Sequence, residues 1–226
     1  MTFSGRSAVL DRFELVVFDW DGTLSDSTAA IVSAIQDAAA DLDLPVPDHA
    51  TASHVIGLGL HDALARAVPT LPAERIAEYS ARYRVHYLAR EAELVLFPGA
   101  RELIAELRQS GVMLAIATGK SQHGLQRALA ATGLGAEFAA TRCADQTHSK
   151  PHPAMVLELI DELDADPVRT LVIGDTSHDL LMASNAGVAS LGVTYGAHEA
   201  GDLHPHAPLA LIDSFAEVHA WLNANA

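Results

Sequence analysis

Short apolar runs rich in β-forming residues alternate with helical patterns along this chain, and that alternation restricts the fold more than any other feature. Leu15-Val16-Val17-Phe18 reads as a strand buried on both faces. Similar runs follow at Met113 to Ala117 and Thr170 to Ile173, with weaker ones near Ser190 to Thr194 and Leu209 to Ile212. Helical patterns lie between them at 99–110, 121–132, 153–164 and 178–186. Strands alternating with helices predict an α/β fold on a parallel sheet, with helices on both faces. Gly111 stands where a C-terminal cap belongs, Pro153 suits a first helical turn, and Ser214 with Glu217 spells a capping box for the last helix.

The stretch from Ser27 to Leu94 breaks the alternation. It is helical in pattern throughout, with turns at Pro45 to Pro47, Gly57 to Gly59 and Pro69 to Pro72. The division this predicts is a core of residues 1–25 and 96–226, with a helical domain of residues 26–95 inserted after the first strand. The two connections then lie together, and Ser25 to Ser27 and Phe97 to Gly99 are the expected hinges.

Composition excludes several classes. The chain has 226 residues, half of them hydrophobic, which is enough for a buried core. No apolar run approaches the roughly 18 residues of a membrane helix, and Met1 to Arg12 lacks the apolar block of a secretory leader. The lone Cys143 has no disulfide partner within the chain, so a reducing compartment is expected and the thiol reads as a packed side chain. A formal charge of −15 repels polynucleotides. Any anionic ligand would then need local positive charge, for which a bound divalent cation is the simplest supply. Nothing in the sequence sets an oligomeric state, and a monomer is compatible with it.

Open α/β sheets hold ligands at the carboxyl ends of their strands. The first strand runs into Asp19-Trp20-Asp21-Gly22-Thr23, where two carboxylates flank one residue. On spacing alone, this is equally a turn with solvated acids. The strand at 113–117 runs into Thr118-Gly119-Lys120, an anion cradle or an ordinary turn. Ile173-Gly174-Asp175-Thr176-Ser177-His178-Asp179 again runs a strand into acids, which alone could be helix caps. Their combination on one sheet edge carries more weight than any one of them. Asp19, Asp175 and Asp179 offer the hard oxygens that magnesium takes.

In order along the chain, Asp19-Trp20-Asp21-Gly22-Thr23, Thr118, Lys150 and Gly174-Asp175-Thr176-Ser177-His178-Asp179 resemble the four motifs of the haloacid dehalogenase superfamily. The helical insert resembles the cap domain of its phosphoglycolate phosphatase-like branch. The resemblance covers nearly the whole chain; its first and last motifs are specific, whereas a lone Thr or Lys is not. It implies a Rossmann-like core with a helical cap domain, in a cytoplasmic, Mg²⁺-dependent phosphatase. The implied substrate is a small phosphorylated metabolite, hydrolysed through an aspartyl-phosphate. Residue by residue, it implies Asp19 as nucleophile and Asp21 as the acid that becomes the base. Thr118, Gly119 and Lys150 would hold the phosphoryl oxygens, with a carboxylate such as Asp175 steadying Lys150. Mg²⁺ would sit on Asp19, the main-chain carbonyl of Asp21 and Asp175, with Asp179 bound directly or through water.

Asp21 favours phosphoryl transfer over dehalogenation, because the dehalogenases of the superfamily lack the second acid and use no metal. A sugar-phosphate mutase of the β-phosphoglucomutase type shares these motifs and a similar cap, and a non-catalytic regulatory module of the same fold is a third reading. In the insert, Ser53-His54-Val55-Ile56-Gly57-Leu58-Gly59 is the loop expected to face the nucleophile, with His54 and Gly57 as substrate contacts; as a plain helix-to-helix turn it needs only its glycines. Related phosphatases commonly carry arginine where His54 stands, and the loss of a forked cation weakens the case for a carboxylate-bearing substrate such as phosphoglycolate. His198, His204 and His206 lack a zinc spacing and read as surface residues. His148, His152 and His178 read first as loop residues near the site, and Trp20 as packing.

Overall fold

The computed structural model describes residues 12–225, so all but the last residue of the stretch read for a leader lies outside it. Its strands are β1 (Leu15–Phe18), β2 (Ser25–Asp26), β3 (Val95–Leu96), β4 (Met113–Thr118), β5 (Ala140–Cys143), β6 (Thr170–Gly174), β7 (Ala189–Val193) and β8 (Leu211–Ile212). The helices of the insert are α1 (Thr28–Asp41), α2 (His49–His54), α3 (Leu60–Ala67) and α4 (Ile76–Arg90). The remainder are α5 (Ala100–Gln109), α6 (Gln122–Thr132), α7 (Ala154–Leu163), α8 (Ser177–Ala186), α9 (Ala200–Leu203) and α10 (Phe215–Asn225). Six strands form one sheet in the order β5-β4-β1-β6-β7-β8, and every neighbouring pair is parallel.

The continuous apolar run of β1 is explained by its central place. Val16 and Phe18 join a cluster with Leu103, Ile104 and Leu107 of α5 and Val218 of α10, while Leu15 and Val17 pack with Met155, Val156 and Leu159 of α7 on the other face. Alternate side chains are therefore buried on opposite sides, each such burial contributing about 1.5–3 kcal/mol. Trp20 joins the first of these clusters, as packing.

β5 was not foreseen. Its sequence, Ala-Thr-Arg-Cys, has no apolar run because it is an edge strand, and Arg142 leaves it to bind Glu158 at 2.7 Å and Glu162 at 2.6 Å. Pro153 precedes α7 as its N-cap rather than opening its first turn. The capping box of α10 is half made: the Glu217 N–H donates to Ser214 Oγ (3.3 Å), but the Glu217 carboxylate accepts from the Asp213 N–H (3.1 Å).

The insert has an apolar cluster of its own, including Ile31, Ile35, Leu64 and Tyr79, and the Tyr79 hydroxyl donates to the Ile35 carbonyl at 2.9 Å. Its two connections meet as expected: β2 and β3 pair antiparallel, Ser25 opposite Leu96 and Asp26 opposite Val95. Among the described residues, no helix is long and apolar enough to cross a membrane.

Candidate active site

Because β1 lies between β4 and β6, with Phe18 level with Ile116 and Ile173, the residues that follow these strands converge. Asp19 leaves β1 with its N–H on the Ile173 carbonyl (2.9 Å), and its side chain is sealed, as are those of Lys150, Asp175 and Asp179. Lys150 Nζ stands 2.6 Å from Asp19 Oδ1 and 2.6 Å from Asp179 Oδ1. The expectation that a carboxylate such as Asp175 steadies Lys150 is met by other carboxylates, Asp19 and Asp179. The Asp175 oxygens are taken by the Thr23 hydroxyl (2.7 Å) and the Ala197 N–H (2.7 Å), so the neighbouring carboxylates hold the lysine instead.

Gly22 makes this approach of strands possible. Its φ is +85°, and a Cβ there would lie 2.1 Å from Asp175 Oδ2, so any side chain would displace the carboxylate. Asp179 has two duties. Its Oδ2 closes a capping box at the start of α8, accepting from the Thr176 hydroxyl (2.6 Å) and N–H (3.1 Å), while Oδ1 faces Lys150.

Three buried carboxylates against one ammonium leave an excess of negative charge. Burial, resisted by Lys150 and reinforced by Asp179 and Asp175, holds the Asp19 carboxyl well above its ordinary range. Burial, and then Asp179, push Asp175 up to about 7. Burial opposes the charge of Lys150 as well, but Asp179 and Asp19 outweigh it and raise the ammonium's pKa. Asp19, Asp175 and Asp179 present oxygens within 4.8 Å of one another, and Asp19 Oδ2 is buried with no hydrogen-bond partner among the described residues. An orphaned hard oxygen within an anionic cluster fits a divalent cation such as Mg²⁺. The Asp21 carboxylate is not among the oxygens of this cluster, and both of its oxygens are engaged by Ser27 and Lys120.

Asp21 belongs to a second cluster. Its Oδ1 accepts from Ser27 Oγ (2.7 Å), and Lys120 Nζ lies 2.9 and 3.0 Å from its two oxygens. Lys120 also donates to the Tyr87 hydroxyl of α4 at 2.7 Å, tying the insert to the core through Asp21. Burial opposes the lysine's charge, yet Asp21 and the two nearby tyrosines hold its pKa above the ordinary value. The sequence places Lys120 in an anion cradle or an ordinary turn, and neither reading pairs it with Asp21. Its place after a strand end, opposite an acid, was the available signal; Tyr87 carried none, because its partner is a tertiary one.

Thr118 is wholly buried as the last residue of β4. Gly119 does less as an open cradle than as a gap, since a Cβ there would lie 2.5 Å from the Leu58 carbonyl and 2.6 Å from that of Gly57. The insert loop rests directly on this strand end, further held by Ser53 Oγ to the Ala197 carbonyl (2.7 Å) and by the Gly59 N–H to Ser149 Oγ (2.8 Å).

The histidines divide unexpectedly. His198, read as a surface residue, is buried, because the loop after β7 folds over the start of α8 and its Nδ1 accepts the Ser177 N–H (3.1 Å). His178 and His198 both donate from Nε2 to the His54 carbonyl, at 3.0 and 3.2 Å. Burial lowers the pKa of both, that of His198 to about 4, and so works against a charged ring at either position. The His54 ring stacks on His198 with centroids 4.5 Å apart, and it does not line the cavity described next. His148, His152 and His204 are exposed.

A cavity of about 590 Å³ lies between insert and core. Asp21, Gly119 and Lys120 bound it on the core side, and Ile31, Gly57 and Tyr83 are among the insert residues that wall it. Asp19 and Lys150 lie outside its lining.

The chain matches the family model of haloacid dehalogenase-like hydrolases over residues 16–193, and it belongs to that family. It is 40% identical over 211 residues to the probable phosphatase IndB of Dickeya dadantii, a match covering 90% of this chain and 91% of that one. It is 33% identical over 208 residues to a phosphoglycolate phosphatase of Agrobacterium fabrum, covering 89% of each. A solved structure of a predicted phosphoglycolate phosphatase from Haemophilus somnus is similar at a TM-score of 0.81 and 28% identity, covering 92% of this chain and 96% of that one.

Proposed function

We propose that this chain is a Mg²⁺-dependent phosphatase that hydrolyses a phosphomonoester through an aspartyl-phosphate on Asp19. The observation that carries this reading is the separation of two carboxylates only two residues apart. Asp19 faces Lys150 with an unpartnered oxygen, while Asp21 is turned into the Lys120 and Ser27 cluster beside the cavity. Such a separation supports different roles for the two.

In the proposed reaction an Asp19 oxygen attacks phosphorus, the bond to the ester oxygen breaks, and Asp21 delivers a proton to that oxygen. Water then attacks the phosphorus of the acyl phosphate while Asp21 takes its proton, which releases phosphate and restores Asp19. Thr118 and Lys150 hold the non-bridging oxygens throughout. Held by Asp19, Asp175 and the main-chain carbonyl of Asp21, with Asp179 at the edge, Mg²⁺ would offset the charge between nucleophile and phosphate.

Asp19 is only 2% exposed, so substrate entry requires the insert to move as a cap, and the paired strands β2 and β3 are its hinge in this reading. In this reading the core and the cap of residues 26–95 are two functional units. Cys143 is buried, which pushes its thiol up to about 12, and an inert thiol suits the cytoplasm.

The test is phosphate release from small phosphomonoesters with Mg²⁺. Asp19→Asn is expected to lose on the order of 10³-fold or more in kcat. Full activity in that variant overturns the mechanism. Release without a bisphosphorylated sugar excludes a strict mutase.

A further inference from the structure

The cavity between insert and core is placed to receive one half of the substrate. In the phosphatase reading, on which this inference rests, Asp21 protonates the leaving oxygen, so the space beyond Asp21 houses the alcohol. Asp21 and Lys120 bound that space, while Asp19 and Lys150 are sealed away from it. Phosphate therefore lies on one side of Asp21 and the alcohol on the other.

Three features define that alcohol. The volume, about 590 Å³, is in the range that holds ligands of drug size, roughly 300–1,000 Å³, and far exceeds a two-carbon group. Ile31, Ile35, Val55, Ile56, Leu60 and Leu88 line it as an apolar set. The Tyr83 and Tyr87 rings lie near-parallel, 18° apart in plane with centroids 5.8 Å apart, and present aromatic surface to the same space.

The cations around the cavity are poorly placed to take a carboxylate next to the phosphate. Lys120 is committed to Asp21 and Tyr87, and Arg127 is forked onto Glu91 at 3.0 Å through both Nε and Nη2. Arg84 is exposed on α4, where solvent screens it. Beside Asp21, a carboxylate two carbons from phosphorus would meet a like charge and an ammonium already engaged, with Arg84, His61 and His123 the remaining basic side chains of the lining.

We infer that this site selects phosphomonoesters whose alcohol carries a bulky apolar or aromatic body, and selects against short carboxylate-bearing alcohols such as glycolate. The walls contributed by α1, α3 and α4 set the preference, and the strand-end groups act on whatever ester the walls admit.

The experiment compares kcat/KM with Mg²⁺ for benzyl phosphate, hexyl phosphate, methyl phosphate and phosphoglycolate, none of which has an activated leaving group, alongside p-nitrophenyl phosphate. Benzyl and hexyl phosphates are expected to exceed phosphoglycolate by about 10-fold or more, the size of discrimination that apolar pockets achieve. Leu60→Trp, which fills the cavity from α3, is expected to cut the benzyl ester roughly 10-fold more than it cuts methyl phosphate. Leu88→Trp, on a half-exposed position of α4, repeats the test without touching the insert's interior. Phosphoglycolate turned over as well as or better than the bulky esters overturns the inference, as does loss of benzyl and methyl phosphate turnover in parallel in both variants. No turnover of any ester, p-nitrophenyl phosphate included, overturns the phosphatase reading and this inference with it.

Discussion

The two ends of the site are built on opposite physical terms. At the strand ends, Asp19, Asp175, Asp179 and Lys150 are each no more than 2% exposed, concentrate charge, and are fixed by sheet register and by bonds such as Thr23 to Asp175. At the insert end the walls are more apolar than polar, carried on helices and a loop with a separate apolar cluster, and border open space. One end is rigid because moving a buried charge off its partners is costly; the other tolerates exchange of one apolar side chain for another. In the proposed reading reaction and selection are separable, and the two ends meet at Lys120, which touches Asp21 of the core and Tyr87 of the insert.

Removing divalent metal attacks the charged end alone and has the largest expected effect. Chelation should abolish phosphate release and Mg²⁺ should restore it. Because the ion would bind the folded chain, Mg²⁺ at one hundred times its Kd should also stabilise by about 2.7 kcal/mol, read as a rising Tm. Turnover that survives in protein shown to be free of metal would break the contrast at its root.

Lys120→Met sharpens the point of contact. It should lower kcat/KM for unactivated alkyl phosphates by about 10–100-fold and for p-nitrophenyl phosphate by much less, since a good leaving group needs little help from Asp21. Tyr87→Phe should follow the same pattern more weakly. Equal losses on both substrates would make Lys120 a structural residue only.

The metal-free charged end should also mark itself in a pH profile. Asp175 rises from 3.8 to about 7 on folding, and Asp19 moves the same way. Between those values the folded chain holds protons that the unfolded chain has released, so stability should fall as pH rises from about 4 to 7, by an amount on the order of a few kcal/mol. Urea midpoints in chelator at pH 5.5 and pH 8 read this, and Asp175→Asn should flatten the difference.

The smallest effect is expected at His54. Its ring packs on His198 away from the cavity, so His54→Arg should change the ranking of substrates by no more than about 3-fold, the range of surface substitutions. A large gain on phosphoglycolate alone would move the selecting surface from the helices to this loop.

Much of the core was legible in order. The runs at 15–18, 113–117 and 170–173 are buried on both faces, and such strands must be continuously apolar, so they announce themselves. The edge strand at 140–143 was hidden because an edge needs no such run. The motif acids were visible because strand ends of one parallel sheet converge. The partners of Lys150 were not visible, because which carboxylate it meets depends on whether Thr23 and Ala197 have already taken Asp175.

The sequence alone therefore determined the parallel sheet, the position of the insert and the residue types gathered at one edge, since period, breakers and motif order are local properties of the chain. Only the tertiary structure decided that His198 is buried against His54, that Lys120 joins Asp21 to Tyr87, and that an apolar cavity opens beyond Asp21. Those facts join residues 33 to 144 positions apart, and no local pattern constrains such distances until helices and sheet have packed.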